Sequence, residues 1–462
     1  MEFKGKKILV LGMARSGIAA AKKLKSMGAE VLVVDKGDNS SLRKTANILK
    51  KEGISVHIGS QPPHILKGQE IIIISPGIPN SISLVEKAMK DGVSIWSEIE
   101  LAYRLAGPSP FIIGITGTNG KTTTTMLIGE MYKKMFPTVV AGNIGQPLIE
   151  SIGNTLLNTK FIVELSSFQL ENIIKFQPRI SVLLNITDDH LDRYTGIDDY
   201  AKAKARIFSS QTEEDYAILN YDDPLVWSFA PSIKGKIFPF SKFNQFKVGI
   251  FVKSGKIFFK NGKVSKEICA VDELKIKGEH NLDNVMAAAA AALIGGVPLK
   301  LVREALLSFK GLEHRVEHVA TIKGVDFYND SKATNPDAVI KALTSFEDRP
   351  IILLAGGRNK GNTFRGVAEA AKGKVKTAIL FGEAADEIRT AFHASGITTK
   401  KSPSLVDAVH AAVDVSEAND VILLSPACAS FDMFASYKER GEVFKEAIIL
   451  QKKENFYGSK KA

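Results

Sequence analysis

Cysteine is nearly absent from this sequence. Cys269 and Cys428 are the only two in 462 residues, so no disulfide framework is implied and a reducing compartment is the expected setting. Long apolar runs are missing as well. VMAAAAAALIGGV (285–297), among the longest, falls short of the ~20 residues that a membrane-spanning helix needs and reads as a buried helix. The opening residues, MEFKGKKILVLG, enter a strand-like segment without the apolar stretch and cleavage site of a signal peptide, so export is not expected and a cytoplasmic protein is. Acids are in deficit, 50 Asp and Glu against 61 Lys and Arg, for a net charge of +11. Because the basic residues are interleaved with acids along the chain, the excess fits solubility or a phosphorylated small substrate and requires no nucleic acid.

What is present points to a globular α/β protein. Hydrophobic residues make up 45% and charged residues 24%, and the length suggests about three domains of ~150 residues. Short apolar runs recur at 6–12, 30–35, 70–75, 111–116, 161–166, 180–187, 349–357, 377–382 and 420–427. Runs apolar on both faces suit strands buried in parallel sheets, and their alternation with helix-like stretches predicts α/β layers throughout. Residues 230–277 differ: KGKIFPF, KVGIFVKSGKIFFKNGK and DELKIKG read as short strands with glycine-containing turns, a small antiparallel addition. A helix is expected from about Asn281. The proposed boundaries give domains 1–100, 101–311 and 312–462, and the last residues read as a basic tail.

The strongest single signal is GITGTNGKTTTT (114–125), which follows an apolar strand and opens a helix. Glycines there let backbone N–H groups turn toward phosphate oxygens, the helix N-terminus adds a favourable dipole, and Lys121 supplies a point charge. Thr122 stands where a hydroxyl ligates Mg²⁺, although Ile115 occupies the first glycine position of the strict phosphate-loop pattern. GMARSG (12–17) is weaker. Ala14 replaces the glycine that would admit a dinucleotide pyrophosphate, which argues against NAD, and Asp35 at the end of the second strand reads either as a ribose ligand or as a turn residue. Glu164 ends the run FIVE, at the edge where α/β sheets place ligands, and a carboxylate there suits Mg²⁺. Asp188, Asp189, His190 and Asp192 read equally as cation ligands or as loop and cap residues. In YAKAKARIF (200–208), composition cannot choose among Lys202, Lys204 and Arg206, and a solvated basic helix is the ordinary reading.

SPGIP (75–79), TGTNGKTT (116–123), GNIG (142–145), ELSSFQL (164–170), NITDDHLDR (185–193), AKARI (203–207), GEHNLDN (278–284), HR (314–315), NDSKATN (329–335) and LLSPACASFD (423–432) occur in this order. With these landmarks the chain resembles the Mur ligases over nearly its whole length. NDSKATN is the most discriminating, since it resembles the members that add D-glutamate to UDP-N-acetylmuramoyl-L-alanine. The resemblance implies three domains: a Rossmann-like N-terminal domain for the UDP substrate, a central P-loop-type ATPase domain with a mainly parallel sheet plus a small antiparallel sheet, and a Rossmann-like C-terminal domain for the incoming amino acid.

Position by position, the resemblance implies that Ser16, Asp35, Lys36, Ser75, Gly77, Asn143 and His190 contact the UDP substrate. Arg15 and Lys36 depart from the residue types expected there. Gly117, Thr118, Asn119, Gly120, Lys121, Thr122, Thr123, Asn281, Asn284, Arg315 and Asp330 would contact ATP. Lys332, Thr334, Lys360, Ser430, Phe431 and Tyr437 would surround D-glutamate, with Tyr437 where phenylalanine is expected. Lys204 would be carbamylated by CO₂ and, with Thr122, Glu164 and His190, would ligate Mg²⁺, two ions in all. Lys121, Glu164, His190 and Lys204 are thus the expected catalytic set of a monomer working on small molecules through an acyl phosphate. A folylpolyglutamate synthase, a dehydrogenase and a nucleic-acid motor are the rival readings; the first leaves the N-terminal Rossmann-like unit unexplained.

Overall fold

The computed structural model describes residues 2–153, 156, 158–189, 193–276, 278–346, 349–359 and 361–458, with side chains to 450. Among the described residues, the strands form three sheets. The first contains β1 (Lys7–Leu11), β2 (Glu30–Asp35), β3 (Ser55–Ile58), β4 (Ile71–Ile74) and β5 (Ser94–Ser97), all parallel in the order β3-β2-β1-β4-β5. β4 is four consecutive isoleucines, every one buried, as a strand covered on both faces requires. The order reverses between β1 and β4, which opens a crevice at the carboxyl ends of those two strands. There Gly12 takes φ +95°, and a Cβ on it would lie 2.7 Å from Ser75 Oγ, so the turn closes only around glycine.

The central sheet runs β14-β13-β12-β11-β10-β9-β6-β8-β7. Its members are β6 (Phe111–Thr116), β7 (Thr138–Gly142), β8 (Lys160–Glu164), β9 (Ile180–Leu183), β10 (Tyr216–Asn220), β11 (Lys236–Ser241), β12 (Val248–Lys253), β13 (Lys256–Asn261) and β14 (Val264–Ala270). The antiparallel texture read in residues 230–277 is present in β12, β13 and β14, and these strands extend the edge of the parallel sheet. KGKIFPF lies outside that part. The short helices Pro224–Trp227 and Ala230–Ser232 carry the chain over after β10, so β11 returns parallel to it. Among its described residues DELKIKG forms no strand and buries Leu274 alone. At the outer edge of the sheet, Val264–Glu267 of β14 are exposed.

The helix Glu98–Leu105 joins the first sheet to the central one. Glu100 is fully buried, and its carboxylate accepts the backbone N–H groups of Ile174, Lys175 and Phe176 at 2.9–3.0 Å and Arg104 Nε at 2.7 Å. A buried charge persists only when paired in this way. Glu98, two residues earlier, accepts Ile149 N–H at 2.6 Å through Oε1. Its Oε2 is buried with no hydrogen-bond partner.

By contacts the chain divides into two compact units, residues 1–274 with 282–308 and residues 275–281 with 309–462. The second carries a sheet ordered β15-β16-β20-β17-β18-β19, made of β15 (Glu317–Ile322), β16 (Val325–Asn329), β17 (Ile351–Gly356), β18 (Val375–Phe381), β19 (Thr399–Lys401) and β20 (Val421–Leu424). β15 is antiparallel to β16 and the rest are parallel. Apolar layers cover both faces, with Leu353 and Leu423 in one and Ile352 and Ile422 in the other. The expected buried helix is Glu279–Ile294, in which Val285 to Ala292 are buried. Among the described residues, no helix is long and apolar enough to cross a membrane.

Burial pushes the Glu98 carboxyl up to about 7, opposed in part by the Ile149 N–H. An acid whose pKa is higher folded than unfolded holds its proton longer in the native state, so stability falls as pH rises from the ordinary carboxylate range through 7. Glu98→Gln keeps the acceptor for Ile149 and removes the titration. In thermal melts its midpoint should gain on the parent by several degrees between pH 5 and pH 8; a constant difference would show that Glu98 stays charged.

Candidate active site

The nucleotide loop leaves β6 at the centre of its sheet, where the carboxyl end of a parallel strand faces ligand. Gly117 takes φ +151° and Gly120 φ +81°, and Gly120 caps the helix Lys121–Lys133. A Cβ on Gly120 would sit 2.0 Å from Asn284 Oδ1, so the loop passes Asn284 in contact; Thr124 Oγ1 donates to the same oxygen at 3.3 Å. The first turn, Lys121 to Thr123, directs its N–H groups out of the helix, an arrangement that attracts anions. Thr118 and Asn119 point theirs elsewhere. Asn185, just beyond β9, accepts Thr118 N–H through its carbonyl at 2.9 Å and Asn119 N–H through Oδ1 at 2.8 Å.

Lys204 is the penultimate residue of the helix Ile197–Ala205 and is 1% exposed. The solvated basic helix read from composition therefore fails at this residue, while Lys202 and Arg206 are exposed as it requires. Lys204 Nζ donates to Gly117 O at 2.8 Å and lies 4.3 Å from the Tyr200 ring centroid. Lys121 Nζ donates to the same carbonyl at 2.8 Å and to Thr118 O at 2.7 Å. Burial, reinforced by the Lys121 charge and opposed by Asp189 and Glu164, holds the Lys204 amine well below the usual lysine range. Glu164 ends β8 and is 2% exposed. Its Oε1 accepts Asn143 Nδ2 at 2.8 Å, and its Oε2 is buried with no hydrogen-bond partner. An orphaned buried carboxylate oxygen beside a lysine of lowered basicity fits a hard divalent cation with oxygen ligands. His190 and Asp192 lie outside the described residues.

At the crevice of the first sheet, Ser16 is the second residue of the helix Arg15–Ser26. Asp35 answers to its turn reading: Oδ2 accepts Met13 N–H at 2.8 Å and Oδ1 accepts Gly37 N–H at 2.9 Å. Lys36 and Gly77 are exposed, and the buried Ser75 donates to Gly12 O at 3.3 Å. Arg15, one of the two departures, donates from Nη2 to Gly145 O of the GNIG segment. Arg193 holds the SPGIP segment, donating to Pro76 O at 2.9 Å and Ile78 O at 3.1 Å while its guanidinium pairs with Glu171.

In the second unit, Asp330 is buried, accepting Ser425 Oγ–H at 2.7 Å and Val316 N–H at 3.3 Å, and burial pushes its carboxyl up to about 7. Lys332 Nζ lies 4.1 Å from the Tyr437 ring centroid, and its backbone N–H donates to His314 O at 3.0 Å. Thr334 N–H donates to Lys332 O at 2.8 Å. Ser430 is buried and Phe431 is 62% exposed. Arg315 pairs with Leu312 in an isolated bridge, and Asn281 N–H donates to Gly278 O at 3.0 Å. Lys360 lies outside the described residues. The first unit thus gathers Lys121, Glu164, Lys204, Asn143 and Asn284; Asn281, Arg315, Asp330, Lys332 and Tyr437 belong to the second.

Three family models match the chain: the MurD-like N-terminal domain of Mur ligases over residues 6–97, the Mur ligase middle domain over 115–292, and the Mur ligase glutamate ligase domain over 314–428. A UDP-N-acetylmuramoylalanine--D-glutamate ligase of Caldanaerobacter subterraneus is 43% identical over 453 residues, 97% of this chain and 99% of that protein. This chain belongs to the Mur ligase family. A relative of the same name from Geotalea daltonii is 45% identical over 452 residues, 97% of this chain and 98% of its own. The solved UDP-N-acetylmuramate-alanine ligase of Thermotoga maritima shares the fold at 20% identity, with a TM-score of 0.58 over 96% of this chain and 99% of that one.

The polar residues that hold this Mur ligase's loops in place were not singled out from sequence. Asn185, Glu100, Arg193 and Arg440 act through contacts between distant segments, and no local spacing announces them. Arg440 is fully buried. Nε donates to Ser331 Oγ at 3.0 Å, Nη2 to Ser331 O at 2.8 Å, Nη1 to Gly356 O at 3.4 Å, and both terminal nitrogens to Cys428 O at 3.1 Å. It thereby ties together the loops that leave β16, β17 and β20. Burial pulls its guanidinium down to about 10. A lysine cannot span three loops, so Arg440→Lys should cost about 3 kcal/mol, read as an earlier chemical-denaturation midpoint; parent-like stability would deny Arg440 this role.

Proposed function

We infer that this Mur ligase joins D-glutamate to UDP-N-acetylmuramoyl-L-alanine in peptidoglycan precursor synthesis, converting ATP to ADP and phosphate. The observation that carries this reading is whole-chain identity of 40–45% with relatives of that name, coverage running to 97–98% of this chain. Residues 1–100 bind the UDP portion, 101–311 bind ATP and 312–462 bring D-glutamate. The protein works in the cytoplasm as a monomer, and peptidoglycan synthesis links it to cell shape and division.

The substrate's L-alanyl carboxylate attacks the γ-phosphorus of ATP, ADP leaves, and an acyl phosphate remains. Two anions must meet for this step, and Lys121 at the loop lowers the repulsion between them. When bound through Thr122, Glu164, His190 and a carbamylated Lys204, Mg²⁺ supplies further neutralisation of the phosphate oxygens. The neutral amine of D-glutamate then attacks the activated carbonyl and expels phosphate. Lys332 and Lys360 hold its carboxylates, with Thr334, Ser430, Phe431 and Tyr437 around them. Ser16, Asp35, Lys36, Ser75, Gly77 and Asn143 hold the sugar nucleotide, and Gly117–Thr123, Asn281, Asn284, Arg315 and Asp330 the ATP.

Carbamylation of Lys204 is supported by the lowered basicity of its buried amine, because only a neutral amine adds to CO₂. The addition releases one proton and leaves an N-carboxylate. It sets an anion beside Lys121, which would repel Lys204 in its protonated form.

Phosphate release should require UDP-N-acetylmuramoyl-L-alanine and D-glutamate together with ATP. Release with L-glutamate and a folate acceptor, or stimulated by DNA or RNA alone, would overturn the reading. Lys204→Ala should lower turnover by at least ~100-fold, with partial recovery on adding short carboxylic acids. Full activity in that variant would remove Lys204 from the mechanism.

A further inference from the structure

The segment that follows β9 lies along the nucleotide loop. β6 and β9 pair in parallel up to Thr116 and Leu183, and the contact continues past the end of the sheet, where Leu184 N–H donates to Thr116 O at 3.1 Å. Asn185 then takes over. Its carbonyl accepts Thr118 N–H at 2.9 Å, its Oδ1 accepts Asn119 N–H at 2.8 Å, and its Nδ2 donates to Asn119 O at 3.1 Å. Two residues on, Thr187 N–H donates to Thr118 Oγ1 at 3.0 Å, and that hydroxyl donates to Thr187 O at 3.2 Å. On its far side the same segment is anchored to the end of β10 and the loop after it: Asn220 Nδ2 donates to Leu184 O, and Ile186 N–H to Asp223 Oδ2, both at 2.9 Å.

This arrangement bears on how the loop presents itself to phosphate. In a glycine-rich phosphate loop, any N–H group can turn toward the ligand. Here the N–H groups of Thr118 and Asn119 are directed into Asn185, which fixes both peptide planes. Main-chain N–H contact with a triphosphate then falls to the residues after Asn119, at the helix start where the dipole is concentrated, while the side chains of Thr118 and Asn119 stay with the ATP site. The same segment runs on to Asp188 and Asp189, and Asp189 acts on Lys204. The segment from Asn185 to Thr187 therefore ties the loop to the strand end that leads to the acids, with the Asn185 side chain contributing both bonds to Asn119.

We propose that Asn185 is the positioning residue of the nucleotide loop: its side-chain amide accepts the N–H and donates to the C=O of Asn119, fixing the two peptide groups that flank that residue, and so aims the phosphate-binding turn. An amide alone can do this, because it offers a donor and an acceptor from one carbon. Aspartate keeps the acceptor for Asn119 N–H, but sets a carboxylate against Asn119 O and adds negative charge beside the phosphates. Alanine removes both bonds. The inference rests on the ATP-binding reading of this loop and is independent of which amino acid is ligated.

The test is calorimetric titration of the full chain with Mg²⁺ and a non-hydrolysable ATP analogue, alongside initial-rate kinetics on each substrate. Asn185→Ala should weaken analogue binding and raise KM for ATP about 10-fold, one such hydrogen bond being worth roughly that factor. The KM values for the sugar nucleotide and for D-glutamate should stay within twofold. Asn185→Asp should bind the analogue more weakly still, although its thermal midpoint lies nearer the parent's. Unchanged analogue affinity in both variants overturns the proposal, as does an equal loss on all three substrates, which a merely structural residue would give. Should the parent bind the analogue and yet fail to ligate D-glutamate, the functional reading falls while the binding comparison still decides the role of Asn185.

Discussion

Two lysine side-chain nitrogens converge on one carbonyl oxygen. Lys121 and Lys204 both donate to Gly117 O at 2.8 Å, one from the loop's own helix and the other from a buried position on a distant helix. Like charges this close repel strongly away from water, and much of the surrounding structure answers that repulsion. Glu164 and Asp189 pull the Lys204 amine toward its charged form while Lys121 and burial push the other way. Two anions relieve the conflict, a triphosphate over Lys121 and a carboxylate carried by Lys204 itself. The electrostatics of an amide ligase that must join a carboxylate to a phosphate are thus present in the protein's own side chains.

Every short apolar run marked in the sequence contains a strand, because a segment buried on both faces carries its signal within itself. Several strands that were not marked, such as Ser55–Ile58, Thr138–Gly142 and Glu317–Ile322, are half-covered. KGKIFPF was placed in the antiparallel part because pairing direction depends on the connection that precedes a strand. The phosphate loop was legible from its glycines, as Gly120 shows: its positive φ and its contact with Asn284 leave no room for a side chain. Lys204 was legible only through the family resemblance. Lys202, Lys204 and Arg206 alternate at a spacing that composition cannot choose among, and burial singles out Lys204.

Asn185, Arg193, Glu100 and Arg440 belong to a different class of residue. Each satisfies backbone groups of segments far away in sequence, and its partners are N–H and C=O groups that every residue possesses. Glu100 gathers three successive N–H groups of 174–176, and Arg440 gathers carbonyl oxygens of Ser331, Gly356 and Cys428. Such contacts are invisible to motif reasoning because the partner contributes no side chain. They set the precision with which the legible residues are held.

The outer strand of the central sheet has a further consequence. Val264–Glu267 present an exposed edge whose outward peptide groups would accept another strand. Lys266 and Glu267 stand on that edge, and Lys256 of the neighbouring strand pairs with Glu267 at 3.0 Å. A second chain adding itself there would have to strip water from these charges, so the nine-stranded sheet ends at β14 instead of growing into a fibre.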